Sequence, residues 1–152
     1  MAIDRQRTGL TILRICIGVF FVFEGFGKIS WFMSTSALND QLSGWAHNAP
    51  AGSISQWYLQ TVAMPGLIYF ARLVPLGELS AGVAMIAGFW TPLAAFVAFF
   101  MALNFELASV VIFKYSFLTN PYGLPVLGGT LALALMGSRG GKSKKLKVKT
   151  EK

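Results

Sequence analysis

The stretch FEGFGKIS, residues 23–30, places a carboxylate, Glu24, four residues before an ammonium, Lys28, inside a long apolar run. Later apolar runs carry three more charged side chains away from their ends: Arg72 and Glu78 in ARLVPLGELSAG, and Glu106 in MALNFELA. Lys and Arg only donate hydrogen bonds and ionised carboxylates only accept them, so together these groups could hold a proton or a polar ligand. The plain alternative is a satisfied structural network that fixes helix register. Either way, a charge facing lipid costs roughly 2.5–3.5 kcal/mol at the centre of a helix, so such groups turn inward and pair.

The elements that carry them follow from hydropathy. Of 152 residues, 55% are hydrophobic and only 12% charged, more apolar surface than a soluble domain of this size can hide. About 20 apolar residues span a bilayer core. Four runs approach that length: residues 9–33, 64–90, 92–115 and 119–137, the last being the shortest and most broken by Gly and Pro. The expected fold is all-α, a transmembrane four-helix bundle over 9–137. An outer loop, 34–63, contains SISQWYLQTV as a candidate interfacial helix. Residues 1–8 precede the bundle and a basic tail, 138–152, follows it.

Charge sets the expected orientation. Seven of the thirteen Lys and Arg lie in residues 139–152, and Arg5 and Arg7 precede the first run, whereas the outer loop has Asp40 but no Lys or Arg. The positive-inside rule then places both termini in the cytoplasm, which needs an even number of spans. The net charge of +7 belongs to topology and anionic headgroups; no base-reading module accompanies it, so nucleic acid is not an expected partner. The single cysteine, Cys16, cannot form an internal disulfide, and the single histidine, His47, leaves bis-histidine haem and His/Cys zinc sites out of reach. No metal and no intrinsic cofactor are expected.

Depth can be counted at 1.5 Å per residue from the outer end of each run. Glu24, Arg72 and Glu106 then lie roughly 12–14 Å down and Lys28 roughly 8 Å, a charge-neutral layer. In this reading Glu24 pairs with Lys28 in the favourable order, and Arg72 bridges Glu24 and Glu106. Ala94, Ala98, Ala102 and Glu106 recur every four residues as a small-residue face, while Arg14, Gly18, Phe21, Gly25 and Lys28 share one side of the first helix. Pro75 is expected to kink the second span. Glu78, roughly 21 Å down, has Arg14 as its expected partner.

Arg14, Gly25 and Lys28, with ARLVPLGELSAGVAMIAGFWTP and its Pro75, Gly77, Glu78, Gly82 and Gly88, resemble the DoxX family of small four-helix membrane proteins. That family includes the DoxD-type subunit of thiosulfate:quinone oxidoreductase. The resemblance covers about residues 9–137 and implies a membrane subunit of a quinone-linked redox complex in a bacterial or archaeal inner membrane. Glu24, Lys28, Arg72, Glu78 and Glu106 are then candidates for a quinone-binding or proton-transfer cluster. Nothing in the chain can hold an electron, so a partner would bring flavin, haem, iron–sulfur or chlorophyll. Two other roles stay open. One is a non-catalytic accessory subunit of a respiratory or photosynthetic complex, binding lipid or pigment. The other is a small transporter or assembly factor.

Overall fold

The computed structural model describes residues 5–112 and 114–136; the whole of the expected tail, 138–152, and residues 1–4 lie outside them. Among the described residues the fold is all-helical. Seven α-helices follow one another: α1 (Arg5–Gly27), α2 (Ser36–Asn48), α3 (Ile54–Tyr58), α4 (Leu67–Ala87), α5 (Thr91–Ala108), α6 (Ser116–Thr119) and α7 (Leu124–Met136). A 3-10 turn, Ile29–Phe32, extends α1, and a π-turn, Leu59–Ala63, extends α3.

Helices α1, α4 and α5 are long and apolar enough to cross a membrane. Their outward faces are hydrocarbon: Phe23, Tyr69, Leu73, Val83, Phe96 and Phe100 are all exposed. Helix α7 is also apolar, but its 13 residues rise only about 20 Å. It packs against α5 and α1, and α4 packs against both α1 and α5.

The tightest of these contacts is α1 against α4, and glycine makes it. A Cβ built on Gly82 would fall 2.7 Å from the Gly18 carbonyl oxygen and 2.8 Å from Val22. A Cβ on Gly25 would meet Leu79 at 2.7 Å. In lipid, where apolar burial gives no drive between helices, such close backbone approach is a main source of adhesion. Along α5 the expected small face is the buried one, with Ala94, Ala98, Ala102 and Glu106 all covered. Pro75 sits inside α4, which continues past it to Ala87. It ends at Gly88, whose φ of 77° is a left-handed cap open to glycine at little cost.

Two apolar cores result. The first lies between α1, α4, α5 and α7 and contains Phe21, Met85, Ala98 and Leu133. The second lies beyond the end of α1 and joins Trp31, Leu38, Leu42, Tyr58 and Leu59 to Ala71 of α4 and Ala108 of α5. The outer segment is therefore a packed layer built on the protruding first turns of α4. Asn104 on α5 donates to the Tyr58 hydroxyl, and burial raises that phenol above its ordinary pKa, so it stays protonated.

Candidate functional site

The close seam between α1 and α4 sets what their polar residues can reach. Lys28 follows the last residue of α1 and is 9% exposed; Glu78, in the middle of α4, is 0% exposed. The Lys28 ammonium lies 2.8 Å from Glu24 Oε2, and 2.9 and 3.0 Å from the two oxygens of Glu78. It also lies 2.7 Å from the Tyr122 hydroxyl and 3.3 Å from the Glu24 carbonyl. Three ammonium protons are thus shared among five acceptors. Phe105 and Tyr122 flank the charge, with ring centroids 5.1 and 5.3 Å away, within the range of cation–π attraction.

Tyr122 closes the cluster from the turn before α7. Its hydroxyl sits 2.7 Å from Glu24 Oε2 and 2.8 Å from Glu78 Oε1. One phenolic proton faces two carboxylates and can be given to either. The ring is held by stacking on Phe105 at 4.9 Å and by an edge contact with Phe20. With both acids and the lysine ionised, the cluster carries a net charge of −1, so uptake of one proton would neutralise it.

The cluster is not sealed. Glu24 keeps about a third of its side chain exposed, and with Lys28 and Tyr122 it borders a cavity of about 250 Å³. Trp45 and Phe105 supply aromatic wall, and Gln41, Ser109 and Asn120 add neutral polar groups. Its lining is drawn from α1, α2, the end of α5 and the turn into α7. A site with a charged floor, aromatic sides and neutral hydrogen-bonding groups is suited to a flat polar ring.

The site residues expected from sequence divide here. Glu24, Lys28 and Glu78 meet. Arg72 does not bridge Glu24 and Glu106: its guanidinium donates to the Trp31 carbonyl and lies 5.9 Å from the Phe32 ring. Glu78 pairs with Lys28, not with Arg14, which is about 21 Å from Lys28 along α1. Glu106 is 0% exposed, and neither carboxylate oxygen has a hydrogen-bond partner among the described residues.

These corrections share a cause. Counting depth from the ends of apolar runs treats every apolar residue as lipid-facing. The first turns of α4 are apolar because they pack on the outer layer, so Glu78 stands level with the end of α1. Tyr122 was missed because its signal, a lone tyrosine after an Asn-Pro turn, also fits an interfacial ring.

The DoxX family model matches residues 9–109. The chain belongs to the DoxX family. That match spans α1 to the end of α5 and so includes Lys28, Gly82 and Glu78, while Tyr122 lies beyond it. No curated protein and no solved structure matches the chain. Family membership and three apolar helices mark this DoxX chain as a membrane protein. Among its described residues, no group of three or more His, Cys, Asp or Glu is placed to hold a metal ion.

Proposed function

We propose that this DoxX-family chain is a membrane subunit of a quinone-linked redox complex and that the cavity beside Glu24, Lys28 and Tyr122 receives the quinone ring. In this reading α1, α4, α5 and α7 form a four-helix bundle in a bacterial or archaeal inner membrane, with both termini cytoplasmic. The observation that carries the proposal is the Glu24–Lys28–Glu78–Tyr122 cluster, a buried proton-holding network open to one cavity. At about 250 Å³ the space is just under the usual range for whole ligands, so it accommodates a ring and leaves an isoprenoid tail outside.

A quinone takes two electrons and two protons to become a quinol, one proton on each oxygen. The electrons come from a redox centre on a partner subunit. The chain's own residues handle one of these protons: Tyr122 can donate its hydroxyl proton to a ligand oxygen and be resupplied from Glu24 or Glu78, within 2.8 Å, after the cluster takes up a proton from solvent at the exposed edge of Glu24. The other ligand oxygen takes its proton from solvent. Lys28 keeps the two acids together while the proton moves. Glu106 and Arg72 have no part in this step.

The binding test needs no partner. Trp45 lines the cavity, so titration of the detergent-solubilised chain with a short-tailed quinone should quench tryptophan emission saturably. Tyr122→Phe should weaken that binding about tenfold, as for loss of a hydrogen bond to a buried polar group. Glu78→Gln should leave the protein folded and slow quinone reduction in the assembled complex, with Glu24 left as the only acid to resupply Tyr122. Linear quenching, unaffected by Tyr122→Phe, would count against a quinone site. It would favour the accessory role, for which the many exposed aromatic side chains speak.

A further inference from the structure

A second cavity, of about 230 Å³, lies at the opposite end of α1 and takes no part in the proposed redox chemistry. Arg7, Thr11 and Arg14 line it from α1 and Thr91 from the start of α5, with Leu10 and Met136 as apolar neighbours. Arg7 and Arg14 are seven residues apart, two helical turns on one face. None of Glu24, Asp40, Glu78 or Glu106, the acids of the described residues, lines it.

Arg14 is held there with a donor unmet. Its Nε is buried and has no hydrogen-bond partner among the described residues. Its guanidinium lies against Gly88, where a Cβ would collide with Nη1, so the left-handed glycine that ends α4 also leaves room for the arginine. A buried guanidinium donor without an acceptor is costly, and a planar fork of donors matches a phosphate. Thr91 brings a hydroxyl and the first turn of an 18-residue helix, whose N-terminal dipole end favours an anion.

We propose that this cavity binds the phosphate of an anionic phospholipid, with Arg14 as the principal ligand and Arg7 and Thr91 beside it. The source is lipid rather than free phosphate because the cavity opens among apolar residues. Leu10, Leu133 and Met136 line it, and Leu135, on the same turns of α7, is exposed. Basic pockets between membrane helices at the cytoplasmic side select such headgroups. The site is independent of the quinone proposal.

The full chain in mild detergent can be titrated with phosphatidylglycerol or phosphatidylcholine and bound lipids counted by native mass spectrometry. Phosphatidylglycerol should bind about tenfold more tightly, because both lipids offer a phosphate but only phosphatidylcholine brings a choline cation against Arg7 and Arg14. Arg14→Gln should erase that preference. Thr11→Trp, at an exposed position, should fill the cavity mouth and erase it with both arginines intact. Because this variant leaves Arg14 in place, it decides the matter if Arg14→Gln fails to fold. Unchanged selectivity in Thr11→Trp would overturn the site. Displacement of the lipid by millimolar inorganic phosphate, on an equal footing, would overturn the lipid as its occupant.

Discussion

Lys28, just past the end of α1, places its ammonium 2.9 Å from Oε1 of Glu78 in the middle of α4, fifty residues along the chain. This contact joins the two helices at the point where the glycine seam has brought their backbones together. It also fixes which acids share a proton, because Glu24 and Tyr122 meet the same ammonium.

Removing the cation should therefore cost more than a surface ion pair. Lys28→Met leaves Glu24 and Glu78 facing each other with Glu78 fully buried, and breaking a buried pair in this way destabilises by about 3–5 kcal/mol. Thermal unfolding in mild detergent measures it. The double variant Lys28→Met with Glu78→Gln should recover part of the loss, because the uncompensated buried charge is gone. A double variant no more stable than the single one would mean that Lys28 acts through packing alone.

How much of this was open to sequence reading depends on which interactions are local. Glu24 and Lys28 are four apart on one helix, so their pairing follows from α-helical geometry. The buried faces of α1 and α5 follow from the spacing of Gly18, Phe21 and Gly25 and of Ala94, Ala98 and Ala102. The partner of Glu78 does not, because it depends on the offset between α1 and α4. That offset is set by the second core, in which Trp31, Leu38 and Tyr58 cover Ala71. Apolar residues that face protein and apolar residues that face lipid have the same composition. Helix α2 was overlooked for a related reason: SALNDQLSGWAHN is nearly neutral in hydropathy, and its two buried leucines, Leu38 and Leu42, make a narrow stripe.

The seam itself can be tested at Gly82. The β-carbon of Gly82→Ala would fall 2.7 Å from the Gly18 carbonyl oxygen and 2.8 Å from the Val22 backbone nitrogen, where backbone cannot swing aside. Separating α1 from α4 should lower stability by about 1–3 kcal/mol, the usual cost of overpacking. Gly77→Ala meets only the flexible end of Met101 and should cost much less. Equal melting temperatures for the two variants would argue that the helices have room to part.

Arg72 anchors the outer layer, so its loss should be felt there. Arg72→Ala deletes a charged hydrogen bond to the Trp31 carbonyl, worth about 1.5–3 kcal/mol. Trp31 is buried, and its emission should move to longer wavelength as the 3-10 turn loosens. Quinone titration should be unaffected, since Arg72 touches neither Glu24 nor Glu78. A fall in quinone affinity without a change in Trp31 emission would return Arg72 to the site.

Glu106 presents the opposite case, a polar group whose removal should help. Both carboxylate oxygens are buried without a hydrogen-bond partner among the described residues, while the helix face around them is alanine. An unsatisfied buried group costs about 1–3 kcal/mol, and replacing it by an apolar side chain of similar shape removes that cost. Glu106→Met keeps the unbranched stem and should raise the melting temperature, whereas Glu106→Gln keeps an unsatisfied amide and should gain little. If Glu106→Met instead destabilises the protein while Glu106→Gln does not, the carboxyl group has a partner in the membrane assembly, and the search for that partner would begin at the C-terminal end of α5.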